Sequence, residues 1–326
     1  MSLKAVVHLD EPYTHQAVIK ALKKSQLDII ISNSPEDENT DIQWLEYELI
    51  RWEEVMGSQS SLANAYCIRK GLIRKAQLAY NITKYLSKNP SSILKRAIPE
   101  TWLFELDHVD YFEESMNEVF EVERDLQLGH SFIIKPSLAN KAAGIKVFNT
   151  LDQLRDIFEQ EESDSDDDDD DDDDDEEDVS QVKEWVIQRY IDKPLLVNQR
   201  KFHVRAYVLA KSNIEVYLYR DMLALFALRK YDPTQLDDNL IHLTNTCIQT
   251  EESEYVESES VKLFWELNIE QKDHMFEQMK KILADVFDAC TSEMTTFQAI
   301  PNAFELFGID FLIDEDYNVY FLEANA

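Results

Sequence analysis

The chain has 326 residues, of which 44% are hydrophobic, so it can bury a large core, and its length predicts two or three subdomains. Its net charge of −33 argues against nucleic-acid binding through a basic face. No apolar run reaches the length of a membrane span and there is no N-terminal signal pattern, so we expect no membrane association and a cytoplasmic location.

The first 70 residues alternate between strand and helix patterns. The pattern predicts strands at 4–9 and 27–31, an amphipathic helix at 14–24 and an apolar segment at 42–49. Such alternation is typical of a small α/β unit. No recognisable chemistry is present in it, so we interpret residues 1–70 as a docking platform or a structural lid.

The next segment, 62–98, is helical in pattern and basic in an otherwise acidic chain. Two interpretations stay open for its cations, a solvated helix face or contacts with an anionic ligand. Pro99 ends the helical pattern. The basic residues are Arg69, Lys70, Arg74, Lys75, Lys84, Lys88, Lys95 and Arg96.

A short apolar strand at 131–136 ends in Lys135 and runs into a loop of small residues that contains Lys141 and Gly144. Backbone N–H groups of such a loop can approach phosphate oxygens, and the two lysines would add positive charge. The segment lacks the Walker spacing, which excludes a P-loop NTPase.

One segment carries about half of the net charge. Sixteen of the eighteen residues at 161–178 are acidic, and without them the net charge is −17. Because such a run repels itself and cannot pack, we expect a disordered surface loop inserted into a folded domain. It could dock a basic partner, carry phosphate on Ser163 and Ser165, or have no specific role.

The segment at 201–210 predicts a strand that forms a hairpin with 214–219. Side chains alternate along a strand, so Lys201, His203 and Arg205 share one face. Three cations on one face of a core strand indicate an anionic partner, for which phosphate is a natural choice. The alternative is a solvent-exposed face that carries basic residues.

The last 23 residues predict an antiparallel hairpin with strands at 304–313 and 319–325. If the loop centres on Asp316 and Tyr317, Asp310 faces Glu323, and Asn325 lies on the same face. Two carboxylates and an amide oxygen form a partial shell that suits Mg²⁺, with water and phosphate oxygens completing it. The alternative is an exposed hairpin whose acids face water.

From about Lys75 to Asn325 the chain resembles the tubulin–tyrosine ligase family, a branch of the ATP-grasp proteins. The resemblance rests on several motifs in the family's order. They are Phe132-Ile-Ile-Lys135-Pro, Lys141-x-x-Gly144-Ile145, Val186-Ile-Gln188-Arg189-Tyr190-Ile191, Lys201-Phe-x-x-Arg205, His242-Leu-Thr244-Asn245, Phe304-Glu-Leu-x-Gly-x-Asp310 and Leu322-Glu323-x-Asn325.

The resemblance implies an α/β (α+β) ATP-grasp fold with a small N-terminal domain at 1–70, a central domain at 71–192 and a C-terminal domain at 193–326. The nucleotide would lie between the last two domains. Carried over by position, the implied ATP contacts are Lys75, Lys135, Lys141, Gln188, Arg189, Tyr190, Ile191, Lys201, His203, Arg205, His242, Thr244 and Asn245, the Mg²⁺ ligands are Asp310, Glu323 and Asn325, and the catalytic residues are Arg205 and Lys141.

The implied reaction is an ATP- and Mg²⁺-dependent joining of a free amino acid to a protein carboxylate, with tubulin as the family's usual acceptor. Two departures favour an alternative. His203 replaces the acid of the family's Lys-Phe-Asp-x-Arg motif, and Leu225 stands where the family has an arginine. The alternative is a weak or inactive ATP-grasp domain that serves as a scaffold for a protein assembly. A ligase for small molecules is a third option.

Overall fold

The computed structural model describes residues 2–57, 61–137, 144–166 and 184–326. These residues form three β-sheets with helices packed on them. Lys141, one of the predicted site residues, lies outside the described residues. The acidic segment was predicted to be a loop over 161–178, but its first six residues, 161–166, are the end of a helix. Residues 167–178 lie outside the described residues.

The N-terminal sheet is parallel and has the order β2-β1-β3-β4. Helix α1 begins where the Glu11 carboxylate accepts hydrogen bonds from the backbone of Tyr13 and Thr14, with Pro12 in the first turn. The elements are β1 (Leu3–His8), α1 (Pro12–Lys24), β2 (Ile29–Ser32), β3 (Ile42–Leu45), a 3₁₀ helix (Tyr47–Leu49), α2 (Trp52–Met56) and β4 (Leu62–Ala63). The predicted α/β alternation is present here.

Three helices follow, α3 (Lys70–Ile73), α4 (Lys75–Lys88) and α5 (Leu94–Ala97). Their apolar side chains Leu72, Leu78 and Leu94 belong to the core of the C-terminal sheet. The basic helical segment therefore packs beneath that sheet, although the predicted boundaries place it at the start of the central domain.

The central sheet is antiparallel, with the order β5-β8-β6-β7. Helices α6–α8 cover one face, where Phe104, Phe132 and Trp185 form an aromatic core. The residues that alternate with them, such as Ile133, Lys135 and Gln188, point to the opposite face. The elements are β5 (Thr101–Glu105), a 3₁₀ helix (Val109–Tyr111), α6 (Phe112–Glu118), α7 (Phe120–Gln127), β6 (Phe132–Pro136), β7 (Lys146–Phe148), α8 (Leu151–Asp166) and β8 (Glu184–Arg189).

The C-terminal sheet has the order β13-β12-β10-β14-β15, and β9 and β11 also pair with the long strand β10. Helix α12 covers one face, where Val204, Ala206 and Val208 meet Met279 and Val286. The elements are β9 (Leu196–Val197), β10 (Arg200–Lys211), β11 (Glu215–Leu218), β12 (Leu223–Phe226), α9 (Asn239–His242), α10 (Thr246–Gln249), α11 (Glu257–Ser260), β13 (Val261–Leu263), a 3₁₀ helix (Phe264–Glu266), α12 (Lys272–Thr291), β14 (Phe304–Ile313) and β15 (Val319–Asn325).

The C-terminal hairpin has the predicted pairing of Asp310 with Glu323 but a different turn. Ile313 pairs with Val319, so the turn centres on Asp316 alone rather than on Asp316 and Tyr317. The register shifts between Asp310 and Phe311, where Leu322 is the extra residue on β15. This bulge compensates for the displaced turn, and the two acids still face each other.

The described residues include no helix that is long and apolar enough to cross a membrane. Of the three cysteines, Cys290 is buried and Cys67 and Cys247 are half-buried.

Candidate active site

The predicted site residues converge on a cleft between the uncovered faces of the central and C-terminal sheets. Its lining includes twelve of the predicted residues, which are Lys135, Gln188, Arg189, Tyr190, Ile191, Lys201, His203, His242, Thr244, Asn245, Asp310 and Glu323. The structure therefore brings together segments that are far apart in the sequence.

Two lysines from different sheets are buried in this cleft. Lys135 Nζ donates a hydrogen bond to Gln188 Oε1 at 3.0 Å, and Lys201 Nζ donates one to the Tyr190 hydroxyl at 2.9 Å. Burial lowers the pKa of Lys135. Burial, and then the charge of Lys135, lower the pKa of Lys201 to about 7. Their hydrogen-bond acceptors are neutral side chains, and the charges of Glu323 and Asp310 only partly offset the effect of burial on the pKa of Lys135.

A chain of neutral groups holds Lys201 in place. The Tyr190 hydroxyl donates to Nδ1 of His242 at 2.7 Å, and Nε2 of His242 donates to the backbone carbonyl of Gln235 at 2.9 Å. Burial lowers the pKa of His242 and raises that of Tyr190, which favours the uncharged form of each. Tyr190 therefore acts through its side chain, a contact that the sequence does not reveal.

Asp310 is the most strongly bound carboxylate of the site. Arg205 donates to it through Nε at 2.5 Å and Nη2 at 2.9 Å, and His203 Nε2 lies 3.4 Å from Oδ1. Burial alone would raise the pKa of Asp310, but His203 and Arg205 outweigh this effect and lower it to about 2. The carboxylate is therefore ionised. His203, which replaces the family's acid, is itself oriented by Thr244, whose Oγ1 lies 2.5 Å from Nδ1.

Gly308 provides the space in which Arg205 lies. A Cβ atom added at position 308 would come within 3.3 Å of Cδ of Arg205 and 3.6 Å of Nε. Gly308 pairs with Tyr207, two residues beyond Arg205 on β10. A glycine at this position leaves room for the arginine side chain to lie against β14, where it reaches its paired residue Asp310.

Glu323 lies on the other side of Asp310, at its paired position on β15. Lys75, at the start of α4, is 4.0 Å from Oε2 of Glu323, and it lines a smaller pocket that Lys135, Gln188 and Leu322 share with the main cleft. Asn325, the third predicted metal ligand, is exposed, pairs with Gly308 and does not line the cleft.

The donor set at Asp310 and Glu323 fits a Mg²⁺ ion that takes one or two carboxylates and completes its shell with phosphate oxygens and water. Both carboxylates line the cleft at paired strand positions. Among the residues that the structure describes, no three His, Cys, Asp or Glu side chains cluster as a metal site. The protein alone thus supplies too few ligands, and such an ion would depend on the nucleotide.

The sequence analysis missed the apolar part of the cleft lining. It consists of Pro99, Ile133, Ile145, Leu243, Leu312 and Leu322. Two of these residues could have been found by strand alternation, because Ile133 precedes Lys135 by two residues and Leu312 follows Asp310 by two. Leu322 could not, because it faces the cleft only through the bulge.

Comparison with known proteins identifies the family. The model of the tubulin–tyrosine ligase family matches residues 53–326. The chain belongs to this family. A probable tubulin–tyrosine ligase of Schizosaccharomyces pombe is 37% identical over 346 residues, which cover 99% of this chain and 85% of the relative. The Saccharomyces cerevisiae probable tubulin–tyrosine ligase PBY1 is 36% identical over the whole of this chain, which spans 48% of that relative.

A solved structure similar to this one confirms the predicted ATP-grasp fold. It is the C-terminal domain of K. lactis Pby1, described as an ATP-grasp enzyme that interacts with the mRNA decapping enzyme Dcp2. Its TM-score is 0.72 at 27% identity, and the alignment covers all of this chain and 86% of that chain. The chain is thus a tubulin–tyrosine ligase family domain with an ATP-grasp fold.

Leu225, which replaces an arginine of the tubulin–tyrosine ligase pattern, pairs with His203 on one side and with Val261 on the other. It is buried, with 7% of its surface exposed, and does not line the cleft. This position therefore contributes packing beside His203, on the same face of the sheet, rather than a charge in the site.

Proposed function

We propose that this domain binds ATP with Mg²⁺ and joins a free amino acid to a carboxylate of a protein. The observation that carries the proposal is the pair of buried lysines, Lys135 and Lys201, in one cleft. Burial lowers the pKa of both lysines. A ligand with several phosphate groups would stabilise their charged forms, which supports a nucleoside triphosphate as the ligand.

The lining of the cleft suggests the orientation of ATP. The strand end at Gln188, Arg189, Tyr190 and Ile191, with the apolar Ile133 and Ile145, would hold the adenine. The phosphates would then point towards Lys75, Lys135 and Lys201, with Lys141 as the further predicted contact. Asp310 and Glu323 would hold Mg²⁺, which neutralises phosphate charge when it is bound.

The proposed reaction has two steps. A carboxylate oxygen of the acceptor attacks the γ-phosphorus of ATP, the bond to the bridging oxygen breaks, and ADP leaves with that electron pair. The amine of the amino acid then attacks the acyl carbon of the acyl phosphate, inorganic phosphate leaves, and the nitrogen loses a proton to give an amide. Arg205, fixed beside the cleft by Asp310, would stabilise the charge of the transferring phosphoryl group.

A labelling assay tests the proposal. Full-length protein is incubated with ATP, Mg²⁺, each labelled amino acid in turn, and tubulin or a total protein extract as the acceptor. We expect ATP-dependent incorporation into a protein band, and its loss in a Glu323→Gln variant that still folds. No incorporation of any amino acid by the full-length protein would contradict the ligase function.

A second candidate function is an ATP-binding scaffold for a protein assembly. Two observations favour it, the apolar Leu225 at the arginine position and the engagement of both Asp310 oxygens by Arg205. The K. lactis relative is described as interacting with a decapping enzyme, which supports a protein partner. Cells that carry Glu323→Gln separate the two functions, because a scaffold would keep its cellular role.

A further inference from the structure

The cation-bearing face of the C-terminal sheet continues past the cleft as an open surface. We name five residues of β10, β11, β14 and the end of the β11 hairpin the tyrosine face: Tyr207, Leu209, Tyr217, Tyr219 and Leu306. Leu209 pairs with both Leu306 and Tyr217, and the backbone N–H of Tyr219 donates to the carbonyl of Tyr207 at 2.9 Å. Alternation from Arg205 places all five on the side of the sheet opposite α12.

The tyrosine face is unusually apolar for exposed sheet surface. The exposed fractions are 50% for Tyr217, 59% for Tyr219 and 53% for Leu306. Contiguous exposed apolar surface that contains tyrosine is typical of protein-binding sites, where tyrosine supplies large contact area at a small entropic cost.

The charges around the tyrosine face are predominantly negative. Glu215 accepts a hydrogen bond from the Tyr217 hydroxyl at 2.7 Å, and Asp221 accepts one from Tyr219 at 3.2 Å. Glu11 and Glu46 line the adjoining pocket together with Leu306.

The cations that the structure describes on this surface and in the adjoining pocket are already paired, and Arg69 of that pocket lies 2.8 Å from Glu305. Lys211 lies 3.0 Å from Glu215, and Arg205 is bound to Asp310. An acidic segment would therefore find no free cation here and would be repelled, whereas lysine or arginine would be attracted.

We propose that the tyrosine face binds a segment of a partner protein whose apolar or aromatic side chains are flanked by lysine or arginine. From Arg205 to Lys211 the face spans seven residues of β10, about 20 Å at the rise of a β-strand, which matches about seven residues of an extended chain. One end of the segment would lie beside Arg205 at the cleft. Docking uses no nucleotide contact, so its test is independent of ligation and of the proposed function.

The test uses two fluorescent 12-residue peptides with the same central Leu and Tyr residues, one flanked by lysines and the other by glutamates. Their affinities for the whole chain are measured by fluorescence anisotropy without nucleotide. The variants are Tyr219→Ser and Leu306→Ser. Tyr111→Ser is the matched control, because Tyr111 is 58% exposed but lies on the 3₁₀ helix beside the central sheet.

We expect the lysine-flanked peptide to bind about tenfold or more tightly than the glutamate-flanked one, and to lose at least about tenfold in affinity in Tyr219→Ser and Leu306→Ser but not in Tyr111→Ser. Binding of neither peptide, equal or tighter binding of the glutamate-flanked peptide, or equal binding by all variants would overturn the proposal. So would self-association of the wild-type chain that Tyr219→Ser abolishes, because the occupant would then be a second copy.

Discussion

Arg205 and Asp310 form a two-point ion pair across β10 and β14, with nitrogen–oxygen distances of 2.5 and 2.9 Å. The two residues are directly paired in the sheet, so the contact is fixed by the backbone register as well as by charge. Asp310 lines the cleft and also faces Glu323, whereas Arg205 is not part of the cleft lining. The pairing of β10 with β14 therefore helps to keep the Asp310 carboxylate ionised, because it holds Arg205 beside it.

Replacing Arg205 by methionine should destabilise the fold. The variant removes both hydrogen bonds from Arg205 to the buried Asp310 carboxylate and leaves His203 beside it, and we expect the free energy of unfolding at pH 7 to fall by about 2–3 kcal/mol. The pKa of Asp310 is about 2 in the folded chain against 3.8 normally. Because a lowered pKa stabilises the fold above the unfolded value, this advantage should disappear as the pH falls from about 4 to 2. Urea unfolding of the wild type and of Arg205→Met at several pH values checks this prediction. A difference in unfolding free energy between the two that stays constant down to pH 2 would contradict it.

Gly308→Ala should disturb the site through Arg205. The added Cβ would lie 3.3 Å from Cδ of Arg205, so the guanidinium must move away from Asp310, at a cost of about 1–2 kcal/mol. The measurement is a double-mutant cycle with Arg205→Ala. If the contact is the cause, Gly308→Ala costs little when Arg205 is already absent, whereas equal costs in both backgrounds would point to the backbone instead.

Lys201 should make both stability and nucleotide binding depend on pH. Its pKa is about 7 in the folded chain, below the unfolded value, so the unfolded chain binds more protons above pH 7 and Lys201 adds stability as the pH rises. A bound phosphate reverses the preference, so ATP affinity should fall as the pH rises from 6.5 to 8.5. Calorimetry in buffers of different ionisation enthalpy should detect proton uptake on binding. Lys201→Met should abolish both dependences.

Leu225→Arg, which restores the residue of the family pattern, should be destabilising. The position is buried and adjoins His203 and Val261, so the new charge has no partner there, and we expect a loss of about 3 kcal/mol. Leu225→Met is the control and should cost less than about 1.5 kcal/mol because it conserves volume. Thermal unfolding of both variants checks this prediction. If the arginine variant were as stable as the methionine variant, the surroundings of position 225 would be able to accommodate a charged side chain, and the prediction would be wrong.

The sequence predicts the local features of this fold well. Strand alternation places Lys201, His203 and Arg205 on one face, whereas the predicted pairing of Asp310 with Glu323 is present only because the bulge offsets the displaced turn. These features depend on short-range periodicity, which the chain carries in its residue pattern. The family resemblance, confirmed by comparison, adds the order of the segments and the ATP-grasp fold.

The features that the sequence does not reveal are contacts between distant segments. Whether Arg205 points to phosphate or to Asp310 depends on the pairing of β10 with β14, which are 105 residues apart at this point. The bulge at Leu322 and the turn at Asp316 depend on hydrogen bonds that Asp314 accepts from the backbone of Asp316 and Asn318. Several turns are compatible with the same apolar pattern, so periodicity alone cannot select one of them.

Titration of the chain with ATP in the presence of Mg²⁺, followed by calorimetry, tests the central claim that two buried lysines hold a triphosphate in the cleft. The account predicts binding of one ATP per chain, with an affinity that falls at least about tenfold in Lys201→Met and is unchanged in the distant control Lys280→Met. The claim would be contradicted if no heat of binding were detected at millimolar ATP, or if Lys201→Met bound ATP as tightly as the wild type.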